Sequence, residues 1–342
     1  MCLLRQILYA AVTTVLALMI SCAFEQTVGE QVLALKQNIE GDYYLRNEKY
    51  QEGLKEFNKE ILIHPDNAET HYYLGRFQLA LDKYDIALNH LKKAVQLSPD
   101  HADYHFWLGV AYGVKNEAHR ERQCYLGALE LDKNHVQALT YLGHNYFKQN
   151  ELREALNIYQ KVLERCPENP GALFNRALIL KHYGRKSEEK SAWDAYLSYY
   201  PEGPMARLAV GNLNELGDFE YRNYLIGDRT VTLKKISFEP FSSEIFRNSY
   251  PSLAVLGEIL KNNKSVSIHI VAYQMNNEKL AEGRAKSIKE YLLKNYSKID
   301  PSRLKVSWFG VSEKIKCGNK IFKEDEAINF ITVTEMVKST RP

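Results

Sequence analysis

The chain has little of what most chemistry requires. Its 342 residues include five cysteines, none of them in a CxxC pair or at the spacing of zinc ligands. No GxSxG, HExxH, Walker A or strand-borne GxGxxG sequence occurs, so no nucleophile elbow, zincin helix or phosphate-cradling loop is expected. Dense Lys/Arg clusters are also missing. The net charge is +3, and the excess in residues 228–342, 20 Lys+Arg against 13 Asp+Glu, is spread too thinly for a nucleic-acid surface. No apolar run is long enough for a confident transmembrane helix. The reading is of a non-enzyme without cofactor, metal or nucleic-acid partner.

What is present begins with 45% apolar residues, enough to bury the cores of about two domains. The first 22 residues combine Arg5, an apolar stretch from Ile7 to Ile20, and Ser21-Cys22, the anatomy of an export signal. "LMISC" resembles a bacterial lipobox, which implies a diacylglyceryl thioether at Cys22 and a membrane anchor after a signal at 1–21; an ordinary signal peptide with an incidental cysteine is the alternative. Past Cys22, Cys124, Cys166 and Cys317 remain, an odd number that cannot close into a disulfide framework.

A fixed period dominates the next part. Gly41, Gly75, Gly109 and Gly143 are each 34 residues apart with Ala177 next in line, and Pro65, Pro99, Pro167 and Pro201 keep the same ruler. The period, the "YYLG", "FWLG" and "TYLG" openings, and aromatics such as Tyr125, Tyr159 and Trp193 resemble tetratricopeptide repeats, five units over 34–203 after a tether at 22–33. A small eighth residue lets two helices pack closely, and proline ends the second helix by removing a backbone donor. Stacking buries the apolar face each pair leaves open, so an all-α solenoid is expected, with a capping helix and linker at 204–227. His101 and His105, four apart, are explained by the array: one beside a turn, the other in the slot of His71.

Such arrays present a groove lined by first-helix side chains. The fifth, ninth and twelfth slots give Tyr72, Arg76, Leu79, Phe106, Val110, Thr140, His144, Phe147, Phe174 and Lys181. This mixed aromatic and basic lining suits a peptide or helix of a protein partner, with solvent-tolerant packing as the alternative. The Lys/Asn set that clamps a C-terminal carboxylate in chaperone-binding members of the family is not at these slots.

From Thr230 strands and helices alternate: "VTLKKISF", "PSLAVLGEILKNN", "SVSIHIVA", "NEKLAEGRAKSIKEYLLKNY", "RLKVSWFGV" and "AINFITVTEMV". An α/β sandwich over 228–342 follows. Together with "FEPFSSEIF", the order resembles the OmpA-like peptidoglycan-associated domain. In that family a loop aspartate binds the ammonium end of diaminopimelate and a helical arginine binds its carboxylate. Arg284-Ala285 matches the arginine-alanine pair, but Met275 falls where the aspartate belongs, and Asn329-Phe330-Ile331 replaces the late asparagine-arginine-arginine motif. Losing one charge-assisted hydrogen bond weakens binding about 10- to 150-fold, so weak peptidoglycan affinity at most is expected. Glu278 or Glu282 is a candidate replacement for the lost charge, with Tyr273 beside them. In the other readings Arg284 pairs internally with one of these acids, or contacts a different envelope anion.

The combined expectation is a lipid-anchored scaffold or assembly factor on the periplasmic face of the outer membrane. Its rivals are a working wall anchor and an enzyme with convergent groups around Arg284, Tyr273 and Glu278.

Overall fold

The structure, a computed structural model, describes residues 33–333. The expected export signal, Cys22, all but the last residue of the expected tether, and the residues from 334 onward lie outside the described residues. The chain separates into two compact units, one up to Arg165 and one from Cys166 onward.

The described part of the first unit, from residue 33, is built of helices. Helix α1 covers 33–46, followed by α2 (Tyr50–Ile63), α3 (Ala68–Ala80), α4 (Tyr84–Leu97), α5 (Ala102–Val114), α6 (Ala118–Leu131), α7 (Val136–Lys148) and α8 (Leu152–Arg165). Helices α2 and α4 stop two residues before Pro65 and Pro99, as expected where the pre-proline residue is driven out of the α region. The turn within each pair uses one left-handed residue: Glu48, Asp82, Asn116 and Asn150, at φ 56–60°. Asx side chains tolerate this conformation better than most, and Gly184 (φ 65°) repeats it in the second unit. Close packing within the pairs is visible at Gly109, where an added Cβ would come within 2.5 Å of the Tyr125 ring. The core is aromatic, with Phe57, Phe77, Tyr125 and Tyr159 essentially fully buried.

In the second unit α9 (Pro170–His182), α10 (Lys186–Tyr199) and α11 (Gly203–Glu215) precede the strands. β1 (Tyr221–Ile226) and β2 (Arg229–Lys234) form an antiparallel hairpin. Then come α12 (Tyr250–Asn262), β3 (Ser267–Gln274), α13 (Glu278–Asn295), β4 (Leu304–Phe309), β5 (Glu313–Cys317), β6 (Lys320–Glu324) and β7 (Glu326–Val333). The central sheet has the order β4-β3-β7, with β3–β4 parallel and β3–β7 antiparallel. One face packs under α12 and α13 through Ile268, Ile270, Leu256, Ile288 and Leu292.

The architecture is a helical repeat array followed by an α/β domain with a mixed sheet. Strand β1 and the β5–β6 hairpin are additions to the expected elements. β1 falls within the expected linker, and apart from the buried Ile226 its exposed and half-buried residues carry no clear alternation of apolar and polar side chains.

Candidate functional site

In the first unit α1, α3, α5 and α7 line one face, and a recess of about 310 Å³ opens there. Arg76 is one of the residues that line it. Its guanidinium lies 4.4 Å from the Trp107 ring centroid, donates to the Tyr72 hydroxyl (2.9 Å) and approaches Asp42 at 3.9 Å. A stacked, hydrogen-bonded arginine of this kind is held rather than free to swing.

Carboxylates surround it. Asp42, Glu69 and Asp103 all line the recess. Burial pushes the Glu69 carboxyl up, and the Tyr104 hydroxyl donates to it. The hydrogen bond from His135 Nε2 (3.1 Å) holds the Asp103 carboxyl below the usual range, although its side chain remains 48% exposed. A second recess of about 540 Å³ shares His101, Asp103 and Gln137 with the first and adds Asp100 and Asp132.

Of the expected aromatic and basic lining, Tyr72 and Arg76 stand at the recess, and several of the other residues are partly or wholly buried. Phe106 is 2% exposed and packs against Tyr125, His135 and Tyr141, so it is core rather than contact surface. Tyr72 is buried as well, its ring tilted 4.9 Å from Tyr104. Thr140 is buried, while His144 and Phe147 are half-buried on α7, and burial depresses the His144 imidazole. In the second unit Phe174 packs edge-on against Trp193 and Tyr196. Lys181 donates to Asn212 and Glu215 of α11, so its charge is already matched. The acidic character comes largely from the second slot, Glu69 and Asp103, and from Asp42 in the ninth slot of the first unit. The same 34-residue ruler, applied to those slots, carries that signal.

In the second unit Asn276 takes a left-handed conformation (φ 57°), and the Asn277 side chain caps α13 by accepting from Leu280 N (3.0 Å). Two turns on, Arg284 is 3% exposed. Its Nε donates to the Ser242 carbonyl (3.0 Å), and Nη1 reaches Gln274 Oε1 and Glu326 Oε2, the latter at 2.9 Å. The Phe238 ring covers the guanidinium at 4.7 Å.

None of the three expected companions joins it. Glu282 is two positions away, on the far side of the helix, and pairs with Lys286 at 2.6 Å. Glu278 is exposed in the first turn, beside Gly310. Tyr273 stacks on Phe309 of β4 (5.4 Å); alternation along β3 turns it away from the face on which Gln274 meets Arg284. Arg284 does pair internally, but with Glu326 on β7, not with either acid of its own helix.

The late-motif position is also absorbed. Asn329 donates to Glu313, which accepts from Arg222 Nη1 at 2.7 Å. The Arg222 and Glu313 side chains are only 12% and 8% exposed, so this triad is structural. Phe330 lies in the core. Cys124, Cys166 and Cys317 are free and half-buried.

Comparison with known families agrees with this architecture. Residues 57–172 match the Cytochrome c-type biogenesis protein H TPR domain, residues 141–204 a tetratricopeptide repeat family, and residues 237–325 the OmpA family. The chain is a tetratricopeptide-repeat array joined to an OmpA-family domain. No curated protein matches it. Among solved structures, PilF of Pseudomonas aeruginosa is similar in fold, with a TM-score of 0.52 and 14% identity over 68% of this chain and 93% of its own. MamA matches with a TM-score of 0.44 and 23% identity over 46% of this chain and 93% of its own. YrrB, described as a TPR protein with an unusual peptide-binding site, matches at 0.43 and 18% over 49% and 87%.

The two families are generally non-catalytic, and together they support a protein-interaction or peptidoglycan-associated role. The OmpA-family domain points to the cell envelope. Among the described residues no helix is long and apolar enough to cross a membrane.

Proposed function

We propose that the chain is a non-catalytic envelope lipoprotein, anchored through Cys22 at the periplasmic face of the outer membrane, that holds a protein partner in its repeat groove. One observation carries the choice of scaffold over wall anchor. Arg284, the residue the resemblance assigns to a wall carboxylate, is buried and already engaged by Glu326, Gln274 and the Ser242 carbonyl. A ligand carboxylate would have to displace a carboxylate at 2.9 Å, which removes most of the gain from binding. By contrast, the groove of the first unit keeps solvent-facing carboxylates and a recess of the size that accommodates side chains of a bound segment.

A photo-crosslinking residue at Gln137, which lines both recesses, tests this in whole cells. It is expected to trap a polypeptide, and purified protein is expected to stay in the supernatant with insoluble sacculi. Sedimentation with sacculi, or failure to trap any polypeptide, would overturn the reading.

The anchor reading keeps one favourable observation. The Glu326 side chain is 40% exposed beside Arg284, so both signs required by a zwitterionic stem peptide lie at one point, supplied by β7 rather than by the loop. If that reading holds, Glu326→Gln weakens sacculus sedimentation; without sedimentation in the unsubstituted protein it has no support.

A further inference from the structure

The repeat itself leaves one apolar surface of the first unit open. On α1, Leu35, Ile39 and Tyr43 recur at every fourth residue and are 62%, 64% and 49% exposed. Helical spacing sets them in one stripe, opposite the side on which Gln37 donates to Thr70 of α3 and Gly41 lies against the Tyr73 ring. One period on, the slots of Ile39 and Tyr43 hold Tyr73 and Phe77. Those two are essentially fully buried, and both pack on Phe57 of α2. The stripe therefore occupies slots that a neighbouring helix covers elsewhere in the array.

Charge points to what covers it. When two copies of α1 meet antiparallel about a two-fold axis through Ile39, Leu35 lies against Tyr43 of the second copy and Ile39 against Ile39. Lys36, on one flank of the stripe, then faces Asp42 of the second copy, and the symmetry repeats that pair. The surface is its own complement. Among the described residues Lys36 comes no closer than 3.5 Å to a carboxylate, and Asp42 no closer than 3.6 Å to a cation, so neither charge is closed off. Head-to-tail stacking has no matching surface, because α11, which follows the last repeat, is bonded to β1 through Asn223 and Asn214. A seam along α1, about 21 Å long, is short for an interface in free solution. The anchor compensates: only residues 23–32 separate Cys22 from α1, so copies held on one membrane have these same ends brought together at raised effective concentration.

We propose that the stripe on α1 is a homodimer surface, on which a second copy of this chain seats the same stripe antiparallel about Ile39. The proposal rests on the anchored reading for the meeting of the copies, and it adds a partner that leaves the groove free.

The test uses the full chain in whole cells, with cysteines placed by substitution and oxidative crosslinking scored on non-reducing gels. Ile39→Cys is expected to give a dimer band about tenfold stronger than Glu130→Cys, an exposed position on α6. Leu35→Cys and Tyr43→Cys, each expressed alone, are expected to give none. The antiparallel seam sets each of these thiols about 12 Å from its own copy along the axis, beyond disulfide reach. Expressed together, the two variants are expected to crosslink to one another. The unsubstituted protein fixes the background from its own cysteines. No dimer from Ile39→Cys, no crosslink from the coexpressed pair, or dimers from Leu35→Cys and Tyr43→Cys alone overturns the proposal. A position-39 thiol that forms no dimer and reacts with a polar maleimide only after detergent is added makes lipid the occupant instead. Fractionation separates the dimer from the anchor: protein that leaves the membrane but still crosslinks at position 39 refutes the anchor and keeps the dimer, whereas membrane-bound protein without the crosslink refutes the dimer alone.

Discussion

The groove of the first unit and the Arg284 pocket of the second contain the same materials, an arginine, carboxylates and an aromatic ring, and treat them oppositely. In the pocket every charge is met within the fold: guanidinium against Glu326, Ser242 carbonyl and Phe238. In the groove the arginine is matched and the carboxylates outnumber it. Burying a charge without a partner is prohibitive, so a deeply buried arginine has to be closed off. Half-exposed aspartates bear no such cost and can wait for a partner. A family resemblance therefore points to where a charge stands, while burial decides whether that charge is still available.

Breaking the closed side gives the largest effects. Glu313→Ala leaves Arg222 without its carboxylate, beside the neutral Asn329 Oδ1 (3.3 Å), and is expected to cost about 3 kcal/mol in denaturant unfolding. A paired Arg222→Leu/Glu313→Leu variant recovers part of it, because removing both charges is cheaper than stranding one. Next comes Arg284→Met, expected to cost about 2 kcal/mol through the lost hydrogen bonds to Ser242 and Gln274. Glu326→Gln is expected to cost about 1 to 2 kcal/mol: it leaves Arg284 buried among neutral acceptors, but the lost carboxylate is itself partly solvated.

A pH scan sharpens the contrast further. His71 Nε2 donates to the Pro65 carbonyl, which leaves its Nδ1 to accept from His90 Nδ1 at 3.0 Å. Burial lowers both imidazoles, His90 to about 4. A depressed histidine is neutral in the fold but takes a proton when unfolded. Stability is therefore unaffected above about pH 6.5 and falls as pH drops toward 4, by about 1 to 2 kcal/mol after solvent screening is allowed for. His90→Gln should flatten that slope in urea midpoints measured along the series. The smallest expected effect is the most informative about the groove: Asp103→Asn should change stability by less than about 0.5 kcal/mol, whatever it does to peptide binding.

Much of the fold was legible because the repeat writes itself in sequence. Glycine, alanine and proline spacing gave the helix pairs, and the left-handed turn residues from Glu48 to Asn150 follow the same ruler. The groove was legible only in part. Slots five, nine and twelve of the later units named Tyr72 and Arg76, but the acids Glu69 and Asp103 occupy slot two, and two of the named aromatics turned out to be buried. The partner of Arg284 was out of reach for another reason. Glu326 is 42 positions away and meets it only because β7 lies beside β3, a pairing that local pattern does not encode. Tyr273 stands apart from Arg284 for a local reason: it is one step along β3 from Gln274, and one step along a strand reverses the side-chain direction.

Helix α11 has a consequence of its own. On one side it receives Lys181 from α9 through Asn212 and Glu215, and on the other its Arg207 carbonyl accepts from Asn223 of β1 while Asn214 donates to the Tyr221 carbonyl. Repeats and sheet share this one wall, so cutting the chain at either end of α11 would bare a surface that both depend on.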